Sequence, residues 1–152
     1  MSGDFIPDLL AKRAALAPGA IALEDVLTGR KLSYAELDAR ASRGAALLEA
    51  RRIGEGDRVA ILCRNRIEFF ELLFACAKAG AVLVPLNWRM PPAELDRLVA
   101  DAEPVLLFYG AEDAAAVARL TPGLPAIALD EEYEPLLAAA APRRARPLWP
   151  AR

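Results

Sequence analysis

In this 152-residue sequence, Asn87-Trp88-Arg89 is the tripeptide whose side chains best suit ligand chemistry. A guanidinium offers phosphate a flat, two-pronged donor set, an indole offers a broad face, and an asparagine bonds nearby backbone at turns. The tripeptide follows Ala81-Val82-Leu83-Val84, a run with no polar face, as expected of a central parallel strand. Pro85 is expected to stop that strand. Trp88 and Arg89 then fall at its carboxyl end, where open α/β sheets meet their ligands. Other chemistry is sparse. The sequence has no histidine, the commonest metal ligand and the commonest general base near neutral pH. Cys63 and Cys76 lack the paired spacing of a zinc or redox site and read as buried structural thiols. No catalytic residue and no metal ligand is expected.

The elements that must position this tripeptide start at residue 65. Asn65 is placed to cap a helix, with Glu68 as the returning carboxylate of a capping box. Between residues 67 and 79 the only charges are Glu68, Glu71 and Lys78, so the helix should be buried between layers until Gly80 ends it. Upstream, a helix is expected over 5–16, with Pro7 in its first turn. Short strands at 21–23 and 31–33 flank a Thr28-Gly29-Arg30 turn. Ser33 and Glu36 form a second capping box, with Leu37, Ala41, Ala45 and Leu48 facing inward. Glu36 and Arg40 are spaced as an exposed pair, and Gly54 is the expected glycine just past the helix end.

Gly54-Glu55-Gly56-Asp57 superficially resembles a phosphate-cradling loop, but it lacks a third glycine and leads into a strand. The dinucleotide reading therefore fails. Further strands are expected at 58–62, 105–108 and 125–129. A helix from Pro92 should turn Leu95, Leu98, Val99 and Ala102 inward, and another should cover 113–120. Strands alternating with helices imply βαβ units and a parallel β-sheet flanked by helices, an α/β fold. The chain divides into residues 1–57 (helix, hairpin, helix), 58–135 (parallel βαβ) and 136–152, where prolines suggest a linker or tail.

Hydrophobic residues make up 55% of the chain and aromatics only 7%, so the core should be mainly aliphatic. The net charge is −2 with both signs interspersed, leaving no basic stripe for nucleic acid and no polybasic membrane patch. There is no run of membrane-spanning length and no leader-like start, so a cytoplasmic location is expected.

Four segments in order, LSYAEL (32–37), GDRVAIL (56–62), NRIEFFELLFACAKAGAVLVPLNWR (65–89) and PAELDRLVADAEPVLLF (92–108), resemble the amino-terminal part of AMP-forming acyl-CoA synthetases. The resemblance covers residues 5–130 and implies the large domain of adenylate-forming enzymes, present only in its first part. Asn87 followed by Arg89 is more similar to a fatty-acyl- or aryl-CoA ligase than to an amino-acid adenylation domain. Such ligases use ATP, Mg²⁺ and CoA. A carboxylate and ATP give an acyl-adenylate and pyrophosphate, and the CoA thiol then displaces AMP. The resemblance implies that Arg89 approaches the CoA ribose phosphate and that Trp88 lines an acyl or pantetheine channel. The competing roles are an arginine that closes the strand end or pairs with Glu94, and an aromatic packed at a sheet edge.

The family's Ser/Thr/Gly-rich loop ending in Pro-Lys-Gly has no counterpart here, and no Gly-Lys pair occurs. The chain is thus expected to be inactive by itself and to bind none of the three cofactors tightly. Its expected partner is the remainder of the ligase chain, which would also bring the carboxylic acid substrate. The alternative is a non-catalytic binding or dimerisation module on the same scaffold.

Overall fold

A computed structural model describes residues 5–120, 123–142 and 148–150, with the side chains of all of these except 5, 6 and 148–150. In chain order the elements are β1 (Phe5–Pro7), α1 (Leu9–Leu16), β2 (Ile21–Glu24), β3 (Lys31–Ser33), α2 (Tyr34–Ala50), β4 (Arg58–Leu62) and α3 (Ile67–Ala79). There follow β5 (Val82–Leu86), α4 (Pro92–Ala102), β6 (Leu106–Tyr109), a 3₁₀ turn (Ala111–Asp113), α5 (Ala114–Val117), β7 (Ala126–Ala128), α6 (Tyr133–Ala139) and β8 (Leu148–Pro150).

The main sheet is parallel, in the order β5-β4-β6-β7. Alternation along each strand divides its side chains between two layers. Val59, Ile61, Leu106 and Phe108 face a core shared with α2, α3 and α6. Ala60, Leu62 and Leu107 face α4 and the segment around Leu120. The α/β fold with a parallel sheet and flanking helices is therefore as expected, but among the described residues β5 is an edge strand rather than a central one. Pro85 lies inside it, opposite Ile61. The Val82 N–H bonds Asp57 O at 2.7 Å, so Val82, Val84 and Leu86 turn their backbone groups toward β4. Leu83 and Pro85 turn theirs outward. Proline is tolerated there because an outward nitrogen has no ladder partner to lose.

The capping box on α2 is formed: the Glu36 N–H bonds Ser33 Oγ at 3.2 Å, and the Ser33 N–H bonds Glu36 Oε2 at 2.7 Å. Leu37, Ala41, Ala45 and Leu48 are all buried, as their spacing requires. Glu36 is thereby committed, and Arg40 pairs with Glu71 and Glu134 instead of with Glu36. Past the helix end the left-handed residue is Arg52 (φ 60°), not Gly54. Gly54 serves the next turn, its N–H bonding Asp57 Oδ2 at 2.8 Å. The first segment is also divided. Phe5–Pro7 is a strand, and Asp8 caps α1 by accepting the Ala11 N–H at 2.9 Å.

The N-cap of α3 is Arg66, without a side-chain cap bond, so Asn65 and Glu68 do not form the expected box. Glu68 falls one position short of the required spacing and pairs with Arg30 and Arg66. Gly80 does end the helix in the left-handed conformation, at φ 79°. Polar and apolar residues of α3 share its buried side. Its charges Glu68, Glu71 and Lys78 are buried, while Phe70 and Leu73 are 41% and 39% exposed. Lys78 is held between Asp8 (2.7 Å) and Asp38 (2.6 Å), tying α1 and α2 to α3.

In α4, Leu95 and Val99 are buried but Leu98 is not. At the chain's end, α6 and β8 replace part of the expected linker, and β8 pairs antiparallel with β1. Residues 143–147 and 151–152 lie outside the described residues.

Candidate functional site

Parallel strands deliver all their carboxyl ends to one edge of the sheet, and four loops meet there. In spatial order they carry Asn87-Trp88-Arg89 after β5, Cys63 to Arg66 after β4, Gly110 to Asp113 after β6, and Asp130 after β7. Strand order reverses between β4 and β6, the switch point at which open sheets leave a crevice for ligands.

The loop after β5 folds on itself. Asn87 Oδ1 accepts the Arg89 N–H at 3.0 Å, the local backbone bond expected of an asparagine at a turn. Arg89 lies over the Trp88 ring, its Cζ 4.3 Å from the centroid, rather than beside Glu94. Trp88 is 37% exposed. Its ring also meets the Arg64 guanidinium, with Cζ 3.6 Å from the centroid. Arg64 Nη1 in turn donates to both Asp113 oxygens, at 2.7 and 2.8 Å. The Arg64–Asp113 pair bridges the loops after β4 and β6, directly across the switch point. Nothing in the sequence signals this pair. The two residues stand 49 positions apart and meet only because β4 and β6 are neighbours.

A second clamp lies beside the first. Arg66 donates to Asp130 at 3.0 and 3.2 Å and to Glu68 at 2.7 Å, and Asp130 also accepts the Ala111 N–H at 2.8 Å. The Arg66 hydrogen bond outweighs modest burial and holds the Asp130 carboxyl below its usual range. Burial works to raise the Glu68 carboxyl, yet the bond from Arg66 and the charges of Arg66 and Arg30 keep it lowered. The thiols are poor nucleophiles. Burial pushes Cys76 up to about 12 and Cys63 up to about 11, with Arg66 pulling the latter partly back.

Among the described residues no group of three or more His, Cys, Asp or Glu could hold a metal. The switch-point crevice is spanned by paired charges. No helix of the described residues is long and apolar enough to cross a membrane.

These features define an open parallel α/β domain with an arginine-bearing carboxyl edge, the part of such folds that meets phosphorylated ligands. The chain belongs to the AMP-binding enzyme family, whose sequence profile matches residues 10–148. It is 44% identical over 112 residues to a feruloyl-CoA synthase of Amycolatopsis sp, a match covering 74% of this chain and 22% of that protein. It is 37% identical over 109 residues to the long-chain-fatty-acid–CoA ligase FadD13 of Mycobacterium tuberculosis (strain ATCC 25618 / H37Rv), covering 72% and 22%. The solved N-terminal domain of FACL13 from M. tuberculosis, with inhibitor bound, superposes with a TM-score of 0.80 at 34% identity, covering 87% of this chain and 35% of that one. The chain spans about a fifth of the length of the curated relatives it matches. The fold is that of a part of the amino-terminal domain of adenylate-forming enzymes.

Proposed function

We propose that this chain is the amino-terminal part of an ATP-dependent, AMP-forming carboxylate–CoA ligase of the fatty-acyl or aryl type. It supplies a sheet and a wall facing CoA, and it needs the rest of the ligase chain for catalysis. The observation that carries this is Arg89. Among the described residues its guanidinium has no ion-pair partner, and it rests on Trp88 at the carboxyl end of β5. An unneutralised arginine suits the CoA ribose phosphate. Trp88 would line the pantetheine or acyl channel. The donors and Mg²⁺ that hold ATP for in-line attack would come from elsewhere in the ligase, a reading supported by the lack of a Pro-Lys-Gly loop in this sequence. The protein so completed would act in the cytoplasm on a carboxylic acid of fatty or aromatic character.

Two measurements test this. Isothermal titration of the 152-residue chain should show no tight binding of ATP or AMP, and tight ATP binding would contradict the proposal. In the full ligase, Arg89→Ala should raise the CoA KM about tenfold, the scale of a lost charge-assisted bond, with adenylate formation intact. An unchanged KM would remove the role assigned to Arg89.

A second reading, a stand-alone dimerisation module, draws on the apolar surface that α3 and the hairpin tip expose. Val26 and Leu27 are almost fully exposed beside Phe70. Light scattering decides here: a concentration-independent monomer removes that reading.

A further inference from the structure

The geometry points to Arg64, anchored by Asp113, as a positioning residue that fixes the Trp88 ring and through it the Arg89 guanidinium. This rests on the reading of Arg89 as a CoA-phosphate contact. Arg64 leaves the end of β4, whose Leu62 lies opposite Leu86 of β5, so its side chain reaches sideways to the next loop. One of its nitrogens is fixed by two bonds to Asp113, whose side chain is 8% exposed and therefore well held. With the guanidinium so anchored, its Cζ sits 3.6 Å from the Trp88 centroid, close enough to hold the ring.

Two like charges on one indole would repel unless one were neutralised. Asp113 neutralises Arg64 and leaves Arg89 as the charge available to an anion. An exposed arginine otherwise loses considerable rotamer freedom when it binds, and one already seated on a fixed ring loses less. The roles are thus divided: Arg64 and Asp113 hold, Trp88 transmits, Arg89 binds. Lysine cannot replace Arg64, because an ammonium lacks the flat fork that stacks and bonds at once.

The test uses this chain carrying Trp149→Phe, which leaves Trp88 as the one tryptophan of the sequence, and the full ligase. In the chain, Arg64→Ala and Asp113→Asn should each raise acrylamide quenching of Trp88 fluorescence about twofold, as the ring loses the guanidinium held over it or the anchor that holds it there. Arg64→Lys should not restore protection. Should Arg64→Ala fold poorly, Arg64→Gln keeps part of the stem, removes the guanidinium from the ring and gives the same readout. In the ligase, Arg64→Ala and Asp113→Asn should raise the CoA KM about tenfold, the cost of lost preorganisation, while adenylate formation stays unchanged. Unchanged quenching overturns the inference, as does equal loss of both half-reactions, the mark of a merely structural role. If Arg64→Ala leaves the CoA KM unaltered while Arg89→Ala raises it, the positioning role fails and the CoA site stands. If Arg89→Ala itself leaves it unaltered, the CoA reading fails and the quenching result alone decides the stack.

Discussion

Outside the candidate site, Arg40 is the residue that meets a carboxylate with no exposed surface. The Glu71 carboxylate is fully buried, and Arg40 meets it with Nε at 2.5 Å and Nη2 at 3.1 Å while also reaching Glu134 on α6. Arg30 stands farther off, at 3.7 Å. A buried charge that loses its partner is strongly destabilising, so Arg40→Leu should lower unfolding stability by about 3 kcal/mol in urea titration. A loss within error would mean that Arg30 suffices for Glu71. The sequence places Arg40 one helical turn from Glu36, which suggests a surface pair. It does not reveal that Glu36 is already committed to the Ser33 N–H, or that Arg40 faces a carboxylate 31 residues away. The candidate site was legible to the same degree. A β-branched run ending in Asn87-Trp88-Arg89 discloses its own loop, because that loop is local. Arg64 and Asp113 stayed hidden, because their meeting depends on strand order.

The helix pair α2–α3 shows the same division between what is local and what is not. The capping box and the inward stripe of α2 follow from spacing alone. The close approach of the two helices does not: a Cβ on Gly44 would lie 2.8 Å from Ala75 Cβ, nearer than two carbons can stand. Ala75 has no flexible end to move aside, so Gly44→Ala must part the helices or shift their backbones. It should lower stability by about 1–3 kcal/mol despite alanine's better helix propensity, and thermal unfolding of the two forms checks this. Unaltered stability would mean that the helices slide freely. The apolar run of α3 likewise foretold a helix but not its orientation. Its charges are drawn inward because arginines on α2 and the hairpin, with Asp8 and Asp38, offer each of them a partner.

At the scale of the whole molecule, ion pairs tie the hairpin and α2 to α3, α6 to α2, and the loop after β4 to that after β7, which gives stability a definite pH dependence. Glu68 and Asp130 have folded pKa values below their ordinary 4.5 and 3.8. The unfolded chain therefore binds protons first as pH falls. Their contribution is complete above the ordinary values and is lost on descent through the lowered ones. The urea midpoint should be level near neutrality and decline below pH 4.5, with a shallower decline in Glu68→Gln. A midpoint level down to about pH 3 would contradict this. The outer edge of β5 meets its surroundings differently. A stray strand docking there would find the Leu83 N–H but no hydrogen at the next outward nitrogen, because Pro85 has none. Edge-to-edge polymerisation is blunted by a single imino acid, set where the native ladder does not miss its hydrogen.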